Sequence, residues 1–330
     1  MLIWVAGIAL LLLISLICIL LYCYRTCFYS PRNRKEDPYT LLQGEQYSAL
    51  SEGIFFCTRK MEEAPCEFVS VQSCDGLSLG GRYYHNYDSA PLLILFHGYR
   101  SMTLRDSTGG FLLGKKAGFN VLAVDQRAHG RSEGTVITFG VKERYDCLSW
   151  IQFANQRFGK HIPIVISGLS MGAATVLMAA SLDLPENVVG IMADCPYSSP
   201  AEIIRKVARD MKIPDAPVYP LIRLSAKLFG KFDLEGCTAE SSVRHAKIPI
   251  LLLHGEDDRF VPCDMSRKIA TACASHCELH TFPDAGHGLC YTMDADRYES
   301  AVVHFMNNIP QLKDHISNNA FSREILERTL

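Results

Sequence analysis

One short stretch, residues 161–175, restricts the fold of this chain more than any other. A β-branched apolar run ends there in Gly-Leu-Ser-Met-Gly at 168–172, and an alanine-rich helical pattern begins at once. This order predicts a buried strand, a sharp turn and a helix, with Ser170 on the turn. Gly168 and Gly172 fit such an elbow, because side chains at these positions would collide with the neighbouring strand and helix. We therefore predict that Ser170 is a nucleophile; an incidental glycine-rich turn is the alternative.

Apolar strand patterns alternate with helical patterns through most of the chain. Strands are predicted at 67–73 and 77–84, as an antiparallel edge hairpin, and then at 92–96, 121–124, 164–166, 188–192, 248–253 and 278–282. Helices are predicted at 103–116, 141–158, 171–182 and 295–307. Alternation of this kind indicates an α/β fold with a mostly parallel sheet and helices on both faces. Loops at the carboxyl ends of the parallel strands should then hold the functional site.

The amino-terminal segment predicts a membrane anchor. Residues 2–22 carry no charge, and as a helix they would span about 31 Å, close to the thickness of bilayer hydrocarbon. A cleaved signal peptide is the alternative, but the segment lacks a basic start and an Ala-x-Ala-like exit. Positive charges follow the span, at Arg25, Arg32, Arg34 and Lys35, so the positive-inside rule predicts a cytoplasmic domain. Thirteen cysteines, an odd number, also suit a reducing compartment.

These patterns divide the chain into four parts. We expect an anchor at 1–24, a linker and lead-in at 25–64, a catalytic domain at 65–310 and a tail at 311–330. Within the domain, residues 196–246 interrupt the alternation with two proline-punctuated amphipathic patterns, which predict a small helical cap or extra packing helices. The apolar spacing of the tail fits either docking on the domain or a free segment.

A serine hydroxyl is a weak nucleophile at neutral pH, so Ser170 needs a base and that base needs an orienting acid. Two turns downstream offer them. The strand at 248–253 is followed by Asp258, and the strand at 278–282 is followed by His287 between two glycines. Both turns should reach the same sheet edge as Ser170.

The order and the motifs resemble those of the α/β-hydrolase superfamily. By this resemblance Ser170, Asp258 and His287 are nucleophile, acid and base, with Asp257 the less favoured choice of acid. His97-Gly98-Tyr99 resembles the family's oxyanion turn. The backbone N–H groups of Tyr99 and Met171 are therefore the expected oxyanion donors.

Two further segments resemble or adjoin family features. Asp125-Gln126-Arg127-Ala128-His129-Gly130-Arg131-Ser132 also resembles a superfamily signature, and we interpret it as a structural brace beneath the site. Asp194 ends another strand and is an alternative acid. Cys195 beside it is interpreted as a small buried residue.

Within the superfamily, the chain is most similar to bacterial hydrolases grouped with serine aminopeptidases, monoacylglycerol lipases and cinnamoyl-type esterases, several of which carry one amino-terminal anchor. The resemblance implies a membrane-anchored serine hydrolase that cleaves esters or thioesters of a lipophilic acyl substrate through an acyl-enzyme. A serine aminopeptidase-like peptidase and a catalytically silent, anchored binding protein are the alternatives.

No cofactor and no metal are expected, and the net charge of −2 with no basic block in the body of the chain argues against nucleic-acid binding. The sequence indicates no oligomeric state.

Overall fold

The computed structural model describes residues 2–31, 37–40 and 44–328. Part of the predicted linker, at 32–36 and 41–43, and the last two residues of the tail lie outside this range. Within the described residues the strands are β1 (Glu67–Gln72), β2 (Ser78–Tyr84), β3 (Leu92–Phe96), β4 (Asn120–Val124), β5 (Ile164–Leu169), β6 (Val188–Asp194), β7 (Ile250–Gly255) and β8 (Cys277–Phe282).

The helices surround the sheet. In chain order they are α1 (Leu2–Cys27), α2 (Glu45–Ala49), α3 (Ser51–Glu62), α4 (Thr103–Asp106), α5 (Thr108–Lys116), α6 (Glu143–Phe158), α7 (Met171–Ala179), α8 (Pro200–Asp210), α9 (Asp215–Ser225), α10 (Ala239–Val243), α11 (Asp264–Ala272), α12 (Cys290–Met293), α13 (Ala295–Asn307), α14 (Pro310–Asn318) and α15 (Ala320–Arg328). A short π-helical turn, Ala226–Gly230, continues α9.

The described part of the chain forms one sheet of eight strands in the order β1-β2-β4-β3-β5-β6-β7-β8. The β1–β2 and β2–β4 pairs are antiparallel, and every pair from β4 to β8 is parallel. The mostly parallel α/β sheet with an antiparallel edge hairpin is therefore confirmed. Residues of β3 are all buried, because helices cover both faces of a parallel sheet.

Two apolar cores lie on the two sides of the sheet. One joins the sheet to α6, α7 and the helices at 200–243, and the other joins it to α3, α5, α13, α14 and α15. Leu312, Ile316 and Ile325 of the tail are buried in the second core, as is Met61. The tail therefore docks on the domain, because its apolar face finds a partner there.

Helix α1 has the length and apolar composition to cross a membrane, features that a signal sequence shares. It runs to Cys27, three residues past the predicted end of the anchor. Leu20 and Cys23 are buried where α1 packs along α9, whereas most of the helix before them is exposed. The carboxyl end of α1 is therefore part of the folded domain.

Candidate active site

Ser170 sits in a strained turn between β5 and α7. Its backbone has φ 55° and ψ −113°, a conformation that residues other than glycine rarely adopt. A Cβ on Gly172 would overlap the carbonyl oxygen of Phe96 in β3, and one on Gly168 would overlap the backbone of Gly172. Glycine at both positions lets β5, β3 and α7 approach closely enough to hold the turn.

The structure brings Ser170, His287 and Asp258 into one hydrogen-bonded chain. The Ser170 hydroxyl donates to Nε2 of His287 over 3.0 Å. Nδ1–H of the same ring donates to Oδ2 of Asp258 over 2.7 Å. Ser170 and Asp258 are buried, and the ring of Phe260 lies edge-on to that of His287, with centroids 5.1 Å apart. This is the geometry that proton transfer from a serine hydroxyl to an imidazole requires, with a carboxylate placed to stabilise the resulting cation.

The Asp258 carboxylate is fixed from several directions. Its Oδ1 accepts the backbone N–H groups of Phe260 at 2.9 Å and Val261 at 2.7 Å. Burial by itself raises the pKa of Asp258, but attraction to His287 and hydrogen bonds from His254 and His287 outweigh it. The pKa of this carboxyl therefore lies well below its ordinary value, and Asp258 is ionised at neutral pH.

His254 is a residue that the sequence reasoning missed. It is fully buried in β7, donates from Nε2 to the carbonyl of Val261 over 2.8 Å, and has that nitrogen 3.3 Å from Oδ2 of Asp258. Ser266 donates to its Nδ1 over 2.6 Å. A histidine at a strand end, four residues before the acid, was the available signal.

The turn after β3 lies beside Ser170. A Cβ on Gly98 would be 3.5 Å from Cβ of Ser170, so the backbone there approaches the nucleophile closely. Met171 is the first residue of α7, and the first N–H groups of a helix have no partner within it. The turn at 97–99 and the start of α7 thus lie on either side of Ser170.

The segment that follows β4 holds this turn in place. The N–H of Gln126 donates to Nε2 of His97 and that of Arg100 to Nε2 of His129, both over 3.0 Å. Asp106 accepts the N–H of Gly98 over 2.8 Å. Gln126, His129 and Asp106 were not predicted individually, although the first two lie in the segment interpreted as a brace.

Asp125 and Arg127 of that segment point into the protein. Asp125 accepts the N–H of Arg131 over 3.0 Å, and its other oxygen accepts the hydroxyl of Thr103. Arg127 forms a buried ion pair with Asp146, whose Oδ2 lies 2.6 Å from its Nε. Both side chains stabilise the loop and neither lines the pocket.

A pocket of about 540 Å³ opens at Ser170. Its lining includes Tyr47, Ile54 and Cys57 from α2 and α3, so the predicted lead-in forms part of the pocket. Tyr47 donates from its hydroxyl to the carbonyl of His287 over 2.6 Å. Gln46 donates to the carbonyl of Asp284 over 2.9 Å.

The expected cap does not contribute to this pocket. Of its described helices, α8 packs beside α9, α9 beside α1 and α10 beside α7, and no described residue that lines the pocket comes from 196–246. The amphipathic faces of α8 and α9 are used in the core instead, where Ile203, Ile204 and Ile222 are buried. The interval 196–246 therefore buries one face of its helices in the core, and its role as a cap stays a prediction.

The other candidate acids occupy different positions. Asp257 is partly exposed and accepts from Nε of Arg259 over 3.1 Å. Asp194 is buried at the end of β6, where its carbonyl accepts the N–H of Ser170 over 2.8 Å, and burial raises the pKa of its carboxyl to about 6. The hydrogen bond from Nδ1 of His287 goes to Asp258.

Cys195 is also close to this histidine. Its Sγ lies 4.0 Å from Nε2 of His287, and burial raises the pKa of the thiol well above its ordinary value. Cys195, Asp258 and His287 are a set of possible metal ligands within the described residues. Both ring nitrogens of His287 already bond to Ser170 and Asp258, an arrangement suited to proton transfer.

The chain belongs to the alpha/beta hydrolase family, whose model matches residues 93–301. An uncharacterized protein of Bacillus subtilis, YqkD, is 24% identical over 72% of this chain and 78% of its own length. A bifunctional esterase/perhydrolase of Acinetobacter calcoaceticus is 24% identical over 72% of this chain and 99% of its own. A solved esterase of Pyrococcus furiosus superposes with a TM-score of 0.62 at 22% identity, covering 82% of this chain and 97% of that one.

Proposed function

We propose that this chain is a membrane-anchored serine hydrolase that cleaves carboxylic esters or thioesters. The observation that carries the proposal is the chain of hydrogen bonds Ser170–His287–Asp258, at 3.0 Å and 2.7 Å, on a strained elbow that opens into a pocket. The esterase named among the relatives supports ester hydrolysis.

The mechanism follows from these positions. Oγ of Ser170 attacks the acyl carbon while its proton passes to Nε2 of His287, and the ionised Asp258 stabilises the imidazolium. The backbone N–H groups of Tyr99 and Met171 donate to the oxyanion of the tetrahedral intermediate. Collapse expels the alcohol or thiol, which takes the proton from His287. Water then gives a proton to His287 and attacks the acyl carbon, and the second tetrahedral intermediate expels Oγ of Ser170. Oγ takes the proton back from His287, and the carboxylic acid leaves.

The lining of the pocket supports a lipophilic acyl group. Ile54, Leu95 and Leu289 supply apolar surface, and the volume of about 540 Å³ suits a small-molecule ligand. A peptidase that binds a free amine would need an available carboxylate. Of the two carboxylates among the described lining residues, Asp106 is already bonded to the Gly98 N–H and to Arg105, and Asp194 is buried at the end of β6, so neither lies exposed for a substrate amine.

The burial of Leu20 and Cys23 supports the retention of α1 as an anchor. Removal of the helix as a signal peptide would strip these apolar side chains from the core, at a cost of about 2 kcal/mol or more for the leucine alone. The cationic residues after the span support a cytoplasmic domain.

A fluorophosphonate probe applied to washed membranes tests the proposal. Wild type should become labelled in the membrane fraction, whereas Ser170→Ala should not. Ser181→Ala, which changes a serine just past the other end of α7, is the matched control and should label like wild type. A panel of p-nitrophenyl esters, thioesters and aminoacyl amides then separates esterase from peptidase. If folded wild type is not labelled and hydrolyses none of these substrates, the hydrolase proposal is refuted and the anchored binding protein is favoured.

A further inference from the structure

The carboxyl end of α1 is bonded to the turn that follows β3. The Tyr99 hydroxyl donates to the carbonyl of Cys27 over 2.8 Å. Nη2 of Arg100 donates to the carbonyls of Thr26 at 2.8 Å and Tyr29 at 3.1 Å. The last carbonyls of a helix have no partner within it and carry the negative end of its dipole, so a guanidinium is a fitting cap.

The segment that follows α1 is itself fixed to the domain. Phe28 is fully buried, and its ring lies edge-on to that of Phe139 at 5.8 Å and that of Phe232 at 5.3 Å. The N–H of Ile137 donates to the carbonyl of Phe28 over 2.8 Å. The N–H of Ser30 donates to the carbonyl of Thr135 over 2.9 Å. Arg100 therefore bonds to a rigid part of the molecule.

Tyr99 and Arg100 belong to the turn that lies beside Ser170. Arg100 has φ 50°, a left-handed conformation that a residue with a side chain holds when its surroundings enforce it. Its N–H is held by His129, and its guanidinium is held by the end of α1. The direction of the Tyr99 N–H depends on both attachments, because a peptide group turns with the dihedral angles on either side of it.

We propose that Arg100 is a positioning residue that orients the oxyanion turn by clasping the carboxyl end of α1. The anchor is then part of the active-site framework as well as an attachment to the membrane. This inference rests on the proposed hydrolase function and deepens it. A displaced oxyanion donor weakens binding of the transition state more than binding of the substrate. Loss of the Arg100 side chain should therefore lower kcat.

The test uses the full chain in detergent with a short soluble ester, and kcat is expressed per site titrated by fluorophosphonate. Arg100→Gln should lower kcat by about 10- to 100-fold with KM nearly unchanged. Arg100→Lys, which keeps a cation able to reach a carbonyl, should recover part of this loss. Tyr99→Phe removes one hydroxyl and should lower kcat by about 3- to 10-fold.

Arg25→Gln is the matched control at the same helix end. Its guanidinium stacks over the ring of Tyr29, 5.4 Å from the centroid, and kcat should stay within about twofold of wild type. Wild type that neither labels nor turns over would refute the hydrolase function itself. If wild type is active and Arg100→Gln has the same kcat per titrated site, the positioning role is refuted. The same holds if Arg100→Gln loses activity only because fewer of its sites can be titrated. Should Arg100→Gln fail to fold, an unchanged kcat in Tyr99→Phe would overturn the proposal.

Discussion

Replacement of Asp258 by asparagine is the sharpest test of the candidate site, because the structure dictates how the amide must lie. Oδ1 accepts two backbone N–H groups, from Phe260 at 2.9 Å and Val261 at 2.7 Å. An amide NH2 in that position would face two donors, so the amide oxygen must remain there. The NH2 group must then occupy the place of Oδ2, beside His287. The N–H of His254 is 3.3 Å from that place but has a closer acceptor, the carbonyl of Val261 at 2.8 Å.

That orientation forces the wrong tautomer on His287. Facing an NH2 donor 2.7 Å away, Nδ1 has to accept, and the ring proton moves to Nε2. The protonated Nε2 no longer accepts the proton of the Ser170 hydroxyl, which lies 3.0 Å away. An aspartate-to-asparagine change that acts through the tautomer costs about 10,000-fold in kcat, or about 5.5 kcal/mol of transition-state stabilisation.

The assay compares kcat/KM for a p-nitrophenyl ester with the rate of fluorophosphonate labelling in Asp258→Asn, and both should fall together. Asp257→Asn is the control, because its partly exposed carboxylate bonds to Arg259, and its activity should stay within about threefold of wild type. If Asp258→Asn kept activity within about tenfold of wild type while Asp194→Asn lost it, the assignment of the acid would be refuted.

Two further predictions concern stability. Gly172→Ala should lower the free energy of unfolding by about 3 kcal/mol or more, because its Cβ would overlap the carbonyl of Phe96. Gly53→Ala in α3 is the control. Its Cβ would meet its nearest neighbour at 3.7 Å, so this change should be neutral or stabilising. Thermal unfolding compares them, and equal melting temperatures for Gly172→Ala and wild type would contradict the overlap. Burial raises the pKa of Asp194 to about 6, so the folded state binds more protons than the unfolded state between about pH 4 and 6. The free energy of unfolding should therefore fall by up to about 3 kcal/mol as the pH rises through this window, and urea titrations of Asp194→Asn should lack this component; equal slopes in both proteins would contradict it.

The sheet was predictable because its strands are short, buried and separated by clear turns. The strand Leu92–Phe96 and the helix Ala295–Asn307 have the predicted bounds. The helix begins where the side chain of Asp294 accepts the N–H of Arg297 over 3.0 Å, a cap that the sequence displays directly. The predicted helix at 103–116 instead divides into α4 and α5 around Ser107.

The approach of the candidate site residues was predictable from topology. Parallel strands place their carboxyl ends at one sheet edge, so turns after β5, β7 and β8 meet although they are far apart in sequence. The residues that brace them were not predictable. His254 reaches Asp258, and Tyr47 reaches the carbonyl of His287, through contacts that leave no periodic signal in the sequence.

The roles of the lead-in helices and of the helices at 196–246 could not be assigned from the sequence for a related reason. An amphipathic pattern indicates that a helix buries one face, but not which surface receives that face. The faces of α8 and α9 pack into the core, whereas α2 and α3 border the pocket at Tyr47, Ile54 and Cys57. Where a helix docks depends on the whole fold.

The anchor illustrates the same limit most clearly. Composition identifies the apolar span at 2–22, whose length of about 31 Å matches the bilayer, but it does not reveal that the helix continues into the domain. The continuation depends on Leu20 and Cys23 packing along α9, and on Arg100, some 75 residues away, bonding to the final carbonyls. The hydrogen bonds of Tyr99 and Arg100 join the carboxyl end of this helix to the turn beside Ser170, so a change in the angle between the helix and the domain would have to break or move them.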